Sequence, residues 1–174
     1  MRRFAYADPP YLGCSVYYAD HPQAEIWDDA QSHIDLVNKM DDEYDGWALS
    51  LSSSSLREIL PFTPERTRTA AWVKPFAVFR PNNDPAYCWE PLLFKTLRKW
   101  SKDQPTCRDY VSAKITLQKG VIGAKPKEFA LWLFTLLGAT PDDDFTDLFP
   151  GTGGVSAVWQ SYCDQYSIFH SMKP

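Results

Sequence analysis

The chain opens with a short apolar run, Phe4-Ala5-Tyr6-Ala7, that stops at Asp8 and two prolines. Proline cannot donate to a strand ladder, so the run predicts a buried strand over 3–8 ending at Asp8. Over 22–40, Ile26, Ala30, Ile34, Val37 and Met40 recur at helical spacing opposite an acidic face, which predicts an amphipathic helix. "DGWALSLS" reads as a second strand and "SSSLREIL" as a helix opened by Ser55 and Glu58 at capping-box spacing. "RTAAWVKPFAVF" and "YCWEPLLF" are further strand candidates, and 95–120 is polar, basic and irregular. "KPKEFALWLFTLLGA" is apolar almost all round and predicts a buried helix, with Pro126 in its first turn and Gly138 at its C-terminal cap. "DDFTDLFPGTGG" runs from a short strand into a glycine-rich turn. "GVSAVWQSYC" continues as a helix, and "QYSIFHS" reads as a last short strand. Strands alternating with helices predict an α/β fold, an open and largely parallel sheet with helices on both faces.

Composition narrows the classes. The 174 residues, 44% of them hydrophobic, are enough for one domain spanning 1–174, and no repeat or long linker divides them. No apolar run is long enough to span a bilayer and "MRRFAYADPP" lacks a signal-peptide core, so a cytoplasmic protein with no membrane partner is expected. Cys14, Cys88, Cys107 and Cys163 form no Cys-x-x-Cys pair, and His21, His33 and His170 add no ligand spacing, so no metal is expected. The net charge of −4 is unevenly spread: residues 1–56 carry three basic and ten acidic side chains, whereas 95–127 carry nine basic and two acidic. A basic segment of this kind suits an anionic partner, or equally a solvated loop that balances an acidic surface elsewhere.

Two short stretches carry candidate chemistry. In "ADPPY" the carboxylate of Asp8 sits at a strand tip, a common place for function in α/β proteins, although Asp-Pro is also an ordinary turn. In "DLFPGTGGV", Gly151 and Gly153 lie between a strand and a helix, where glycine lets a ligand approach the backbone and the helix start offers free amide hydrogens.

Together these motifs resemble the S-adenosylmethionine-dependent amino-methyltransferases that act on adenine N6 or cytosine N4. The resemblance is to the permuted class, in which the catalytic motif precedes the cofactor motif. "ADPPY" resembles the catalytic motif, with Asp8, Pro9, Pro10 and Tyr11 in register. "AKPKEF" is similar to the family's Lys-Pro segment, through Lys125 and Pro126. "TDLFPGTGG" is similar to its Asp-x-Phe-x-Gly-Ser-Gly turn, through Asp147, Phe149, Gly151, Thr152 and Gly153. "WVKP" and "CWEPLLF" resemble two intervening strands, with Trp89 where the family carries histidine before Glu90.

The resemblance implies a Rossmann-like methyltransferase sheet, in a short variant without a separate target-recognition domain. It implies S-adenosylmethionine as cofactor, held by Asp147, Phe149, Gly151, Thr152 and Gly153 with Lys125 and Pro126 nearby. It implies methyl transfer to adenine N6 in DNA, with RNA or cytosine N4 as alternative targets. Asp8 and the Pro9 carbonyl would bind the amine and Tyr11 would stack on the base. Lys95, Arg98, Lys99, Lys102 and Arg108 would contact nucleic acid from the basic segment 95–120. The family's ribose-binding acid aligns with His170, and no acid follows before Pro174. That departure, with the missing recognition domain, leaves open an inactive methyltransferase-like binding subunit, and a homodimer or hetero-partner could supply target recognition. Lys74 and Glu90 border the pocket or form a strand-end ion pair, and Tyr17 and Tyr18 could close over a base.

Overall fold

The computed structural model describes residues 1–18, 23–76, 84–99, 101–115 and 124–171. Six strands form one sheet: β1 (Arg3–Ala7), β2 (Gly46–Ser50), β3 (Arg68–Val73), β4 (Trp89–Lys95), β5 (Tyr110–Ser112) and β6 (Asp144–Asp147), in the order β5-β3-β4-β2-β1-β6. β1 pairs in parallel with both β2 and β6, and β3 in parallel with β5. β4 runs against β2 and β3 and is the one reversed strand of the six. The carboxyl ends of five strands and the start of β4 therefore share one edge of the sheet.

Helices α1 (Ala30–Glu43) and α2 (Leu56–Ile59) cover one face, and α3 (Lys127–Leu137) and α4 (Gly154–Ser171) the other. Alternation along the strands divides the core: Ala5, Trp47, Leu49 and Leu93 meet Ile34, Val37 and Met40, while Phe4, Tyr6, Trp72 and Phe94 meet Phe129, Leu133 and Phe134. The largely parallel, two-faced sheet expected from the pattern is present.

Several expectations need correction. Ile26 is exposed, because residues 24–28 form a separate 3₁₀ turn and α1 begins only after Asp29, whose carboxylate caps the Gln31 N–H at 3.0 Å. Ser55 precedes α2 but makes no capping bond; its hydroxyl pairs instead with that of Ser52 at 2.6 Å. Pro126 is the N-cap of α3 rather than a residue of its first turn. Within the basic interval, 110–112 forms β5, an edge strand too short and too polar to announce itself. "QYSIFHS" is not a strand, since α4 continues through it to Ser171. No proline or glycine interrupts 155–171, so nothing ends the helix there. With that strand gone, His170 does not occupy a strand-end ribose position. His21, Lys119 and the end of the strand candidate at 77–79 lie outside the described residues. Among the described residues no helix is long and apolar enough to cross a membrane.

The C-terminal end of α3 illustrates how tightly the layers meet. Gly138 takes the left-handed conformation (φ 78°) and its N–H closes on the Phe134 carbonyl at 3.0 Å. A Cβ at this position would stand 2.9 Å from the Arg98 backbone nitrogen. Gly138→Ala is thus expected to destabilise the fold by roughly 1–2 kcal/mol through φ strain and the close contact, measured as a lowered denaturation midpoint with an unchanged slope.

Candidate active site at the carboxyl edge of the sheet

Asp8 is the first residue past β1, and the two prolines carry the chain away from the ladder, so its carboxylate faces the α3 side with Tyr6. Lys125 stands two residues before α3, and Glu90 is the second residue of the reversed strand β4. Lys74 directly follows β3. Four elements thus bring two acids and two bases to one point.

The Lys125 ammonium lies at the centre, its side chain only 5% exposed. It meets Asp8 Oδ2 at 2.8 Å, Glu90 Oε2 at 3.2 Å and the Tyr11 hydroxyl at 3.2 Å. The Tyr11 hydroxyl donates to Glu90 Oε2 at 2.8 Å, and Lys74 closes on Glu90 Oε1. The rings of Trp72, Tyr11 and Phe129 stand 5.4, 5.6 and 6.0 Å from the ammonium, close enough for cation–π attraction.

Burial and charge set the ionisation of the cluster. Burial pushes the Asp8 carboxyl above its ordinary range, against the pull of Lys125. Burial also works on Glu90, but Lys125 and Lys74 outweigh it and hold that carboxyl below its ordinary value. Burial would lower Lys125, yet Asp8, Tyr11, Tyr6 and Glu90 together raise it well above the ordinary lysine value. The Tyr11 phenol, buried and facing Asp8, is raised well above its ordinary value and stays protonated as a donor.

The glycine turn lies beside this cluster. Asp147 ends β6 in register with Tyr6, and the Leu148 N–H donates to the Tyr6 carbonyl at 2.8 Å. Burial raises the Asp147 carboxyl, which accepts from the Phe149 N–H at 3.3 Å and the Ser156 hydroxyl at 3.4 Å. Gly151 and Gly153 both have positive φ (48° and 79°), and a Cβ on either would meet nothing within 4 Å. The turn is open on its outer side, with Thr152 exposed beside it.

A link that the motifs did not announce joins the two turns. His33, buried on α1, faces the carbonyls of Asp29 and Pro10. Trp27 packs edge-on against both His33 (5.2 Å between ring centres) and Phe149 (5.1 Å). Trp27 is half-buried between the Asp-Pro-Pro-Tyr turn and the glycine turn. No local signal marks this role, because it exists only once α1 is folded against both strands.

The remaining candidates spread out. Lys74 and Glu90 do form an ion pair, and that pair borders the site. Tyr18 is half-buried and electrostatically close to Asp8, whereas Tyr17 is exposed. The basic residues lie elsewhere. Lys95 ends β4 at the opposite edge and pairs with Asp41 at 2.9 Å. Arg98 donates to the Pro105 carbonyl, Arg108 donates to the Tyr110 hydroxyl, and Lys99 and Lys102 are exposed. None of these five joins Asp8.

Solved structures share this architecture. The crystal structure of the M1.HpyAVI–SAM complex matches with a TM-score of 0.63 at 14% identity, covering 93% of this chain and 78% of that one. The crystal structure of M1.HpyAVI matches with a TM-score of 0.53 at 18% identity, covering 93% and 76%. No protein-family model matches the sequence, and no curated protein is similar to it. The shared feature is therefore the fold.

The charge cluster has a testable pH signature. Glu90 has a folded-state value below the ordinary 4.5, so its charge stabilises the fold above that value and the contribution fades as pH falls through the lower one. Glu90→Gln is expected to lose about 3 kcal/mol at neutral pH, because it leaves buried Lys125 short of a partner. The deficit should shrink in acid, below the folded-state value. Denaturant unfolding at both pH values checks this, and an equal deficit at both would show that the charge on Glu90 is immaterial.

Proposed function

We propose that the chain is an S-adenosylmethionine-dependent methyltransferase acting on the exocyclic N6 amine of adenine in DNA. The observation that carries this reading is the side-by-side placement, on paired parallel strands, of the Asp-Pro-Pro-Tyr turn and an open glycine turn. The residues fit the cofactor: positive φ at Gly151 and Gly153 leaves the backbone approachable, and Asp147 and Phe149 flank it. We assign Thr152 of the same turn, and Pro126 at the start of α3, to the cofactor as well. When bound, the cofactor supplies an electrophilic methyl group on a sulfonium.

The chain's own groups act on the amine. An aromatic amine is a poor nucleophile because its lone pair is delocalised into the ring. The Asp8 carboxylate and the Pro9 carbonyl accept its two hydrogens and draw the lone pair towards the methyl group, an interaction that strengthens as the nitrogen becomes positive. Pro9 and Pro10 fix the backbone that aims this carbonyl. Lys125 holds Asp8 in place, and Tyr11 offers its ring to an extruded base while its hydroxyl is tied to Glu90. Arg98, Lys99, Lys102 and Arg108 supply phosphate contacts away from the pocket. Lys95 is already neutralised by Asp41.

Two variants separate the roles. Asp8→Ala is expected to reduce methyl transfer at least about a hundredfold while retaining S-adenosylmethionine binding by calorimetric titration. Gly151→Trp is expected to abolish that binding. Absence of binding by the unaltered chain would instead support a non-catalytic binding subunit.

A further inference from the structure

Several basic side chains described near the sheet are matched by an acid. Arg2, Lys74, Lys95 and Lys125 close on Asp143, Glu90, Asp41 and Asp8. Arg68 and Lys99 close on no carboxylate among the described residues, and both line the same cleft of about 210 Å³. Arg98 lines it as well, and its bond to the Pro105 carbonyl at 2.7 Å fixes the loop that forms the far wall. Asp109 is the single acid against these three cations, and Ser101 and Gln104 add neutral hydrogen-bonding groups. The Arg68 guanidinium is steadied by the Phe94 ring, 5.2 Å beneath it.

A concave site with two unneutralised cations, one of them a planar guanidinium, is built for a phosphate oxygen cluster. Its size limits what else can enter: sites that enclose a whole small ligand run to roughly 300–1,000 Å³, so this cleft takes a phosphate group whose base and sugar lie outside. Its place in the fold gives a second constraint. Arg68 pairs in register with Phe94, four residues along β4 from Glu90. At ~3.3 Å per residue that is about 13 Å from the catalytic cluster, or about four base pairs at the 3.4 Å rise of a DNA strand.

We propose that the cleft grips one backbone phosphate of the DNA about four base pairs to one side of the base presented to Asp8. This rests on the methyltransferase reading, and it makes the grip one-sided: duplex on the far side of the target does not reach the cleft.

Two duplexes of equal length and charge test it, each with one adenine left unpaired opposite an abasic position, three base pairs from the left end in one and from the right end in the other. The protein used is the full chain, unaltered and as Arg68→Gln/Lys99→Gln. The double variant is expected to bind one placement more weakly, with the slope of log affinity against log salt reduced by about 0.9, the value for one lost phosphate contact. Binding of the other placement should not change. A control that removes the same charge elsewhere, Lys39→Gln/Arg57→Gln, should affect neither. Equal effects on both placements, or no effect on either while methyl transfer proceeds, would overturn the proposal. Loss of methyl transfer on both duplexes with the unaltered chain would instead count against the methyltransferase reading. Titration with inorganic pyrophosphate distinguishes the source of the phosphate: saturable binding that needs Arg68 and Lys99, without any placement effect, would assign the cleft to a free phosphorylated ligand and overturn the DNA proposal.

Discussion

The arrangement of the carboxyl edge of the sheet depends on one buried ammonium. A lysine removed from water is strongly unfavourable unless its charge is met and its three donors are used. Lys125 satisfies this with Asp8, Glu90 and Tyr11, groups drawn from the first turn after β1 and from the start of β4. The solution requires a reversed strand. Were β4 parallel to its neighbours, Glu90 would lie at the far edge and Lys125 would face Asp8 alone. The antiparallel pairing of β4 is thus a condition for the charge balance, and that balance aligns the Asp8 carboxylate and the Tyr11 ring.

The contacts of Trp27 extend this order to the second turn. Asp8 and Pro10 belong to one loop and Phe149 to another, and His33 and Trp27 form a packed bridge between them. Edge-on aromatic contacts resist sliding more than aliphatic ones do, since each ring prefers a defined orientation to its neighbour. The spacing between the two loops is therefore set by α1 and the turn before it, as well as by the pairing of β1 with β6.

Much of this was legible in the sequence where the determinant was local. The apolar runs of β1 and β2 and the all-round apolar surface of α3 mark buried elements directly, and Asp8-Pro9-Pro10 marks a strand end because proline chemistry allows little else. Readings failed where tertiary packing decides. "QYSIFHS" has β-branched and aromatic residues typical of strands, yet it extends an existing helix, and adding a turn to a formed helix is easier than starting a new strand. β5 has only three residues and takes its conformation from pairing with β3. In the site, the motif residues were readable but their partnerships were not: the pairing of Lys125 with Asp8 carries no signal in the sequence, because it joins residues 117 apart. Arg68 lies outside the basic segment and joins its cleft only through the register of β3 against β4.

The position of β1 has a consequence for how the chain acquires its fold. Its neighbours are β2, which follows closely, and β6, near the other end of the sequence; the ion pair between Arg2 and Asp143 alone spans 141 residues. During synthesis one side of β1 has no ladder partner until β6 emerges, and pairings this distant in sequence are slow to form because a long loop must close first. The turn after β6 completes the site at the same moment that it seals that exposed strand. Assembly of the two turns side by side and protection of β1 from edge-to-edge association therefore depend on the same late-emerging strand.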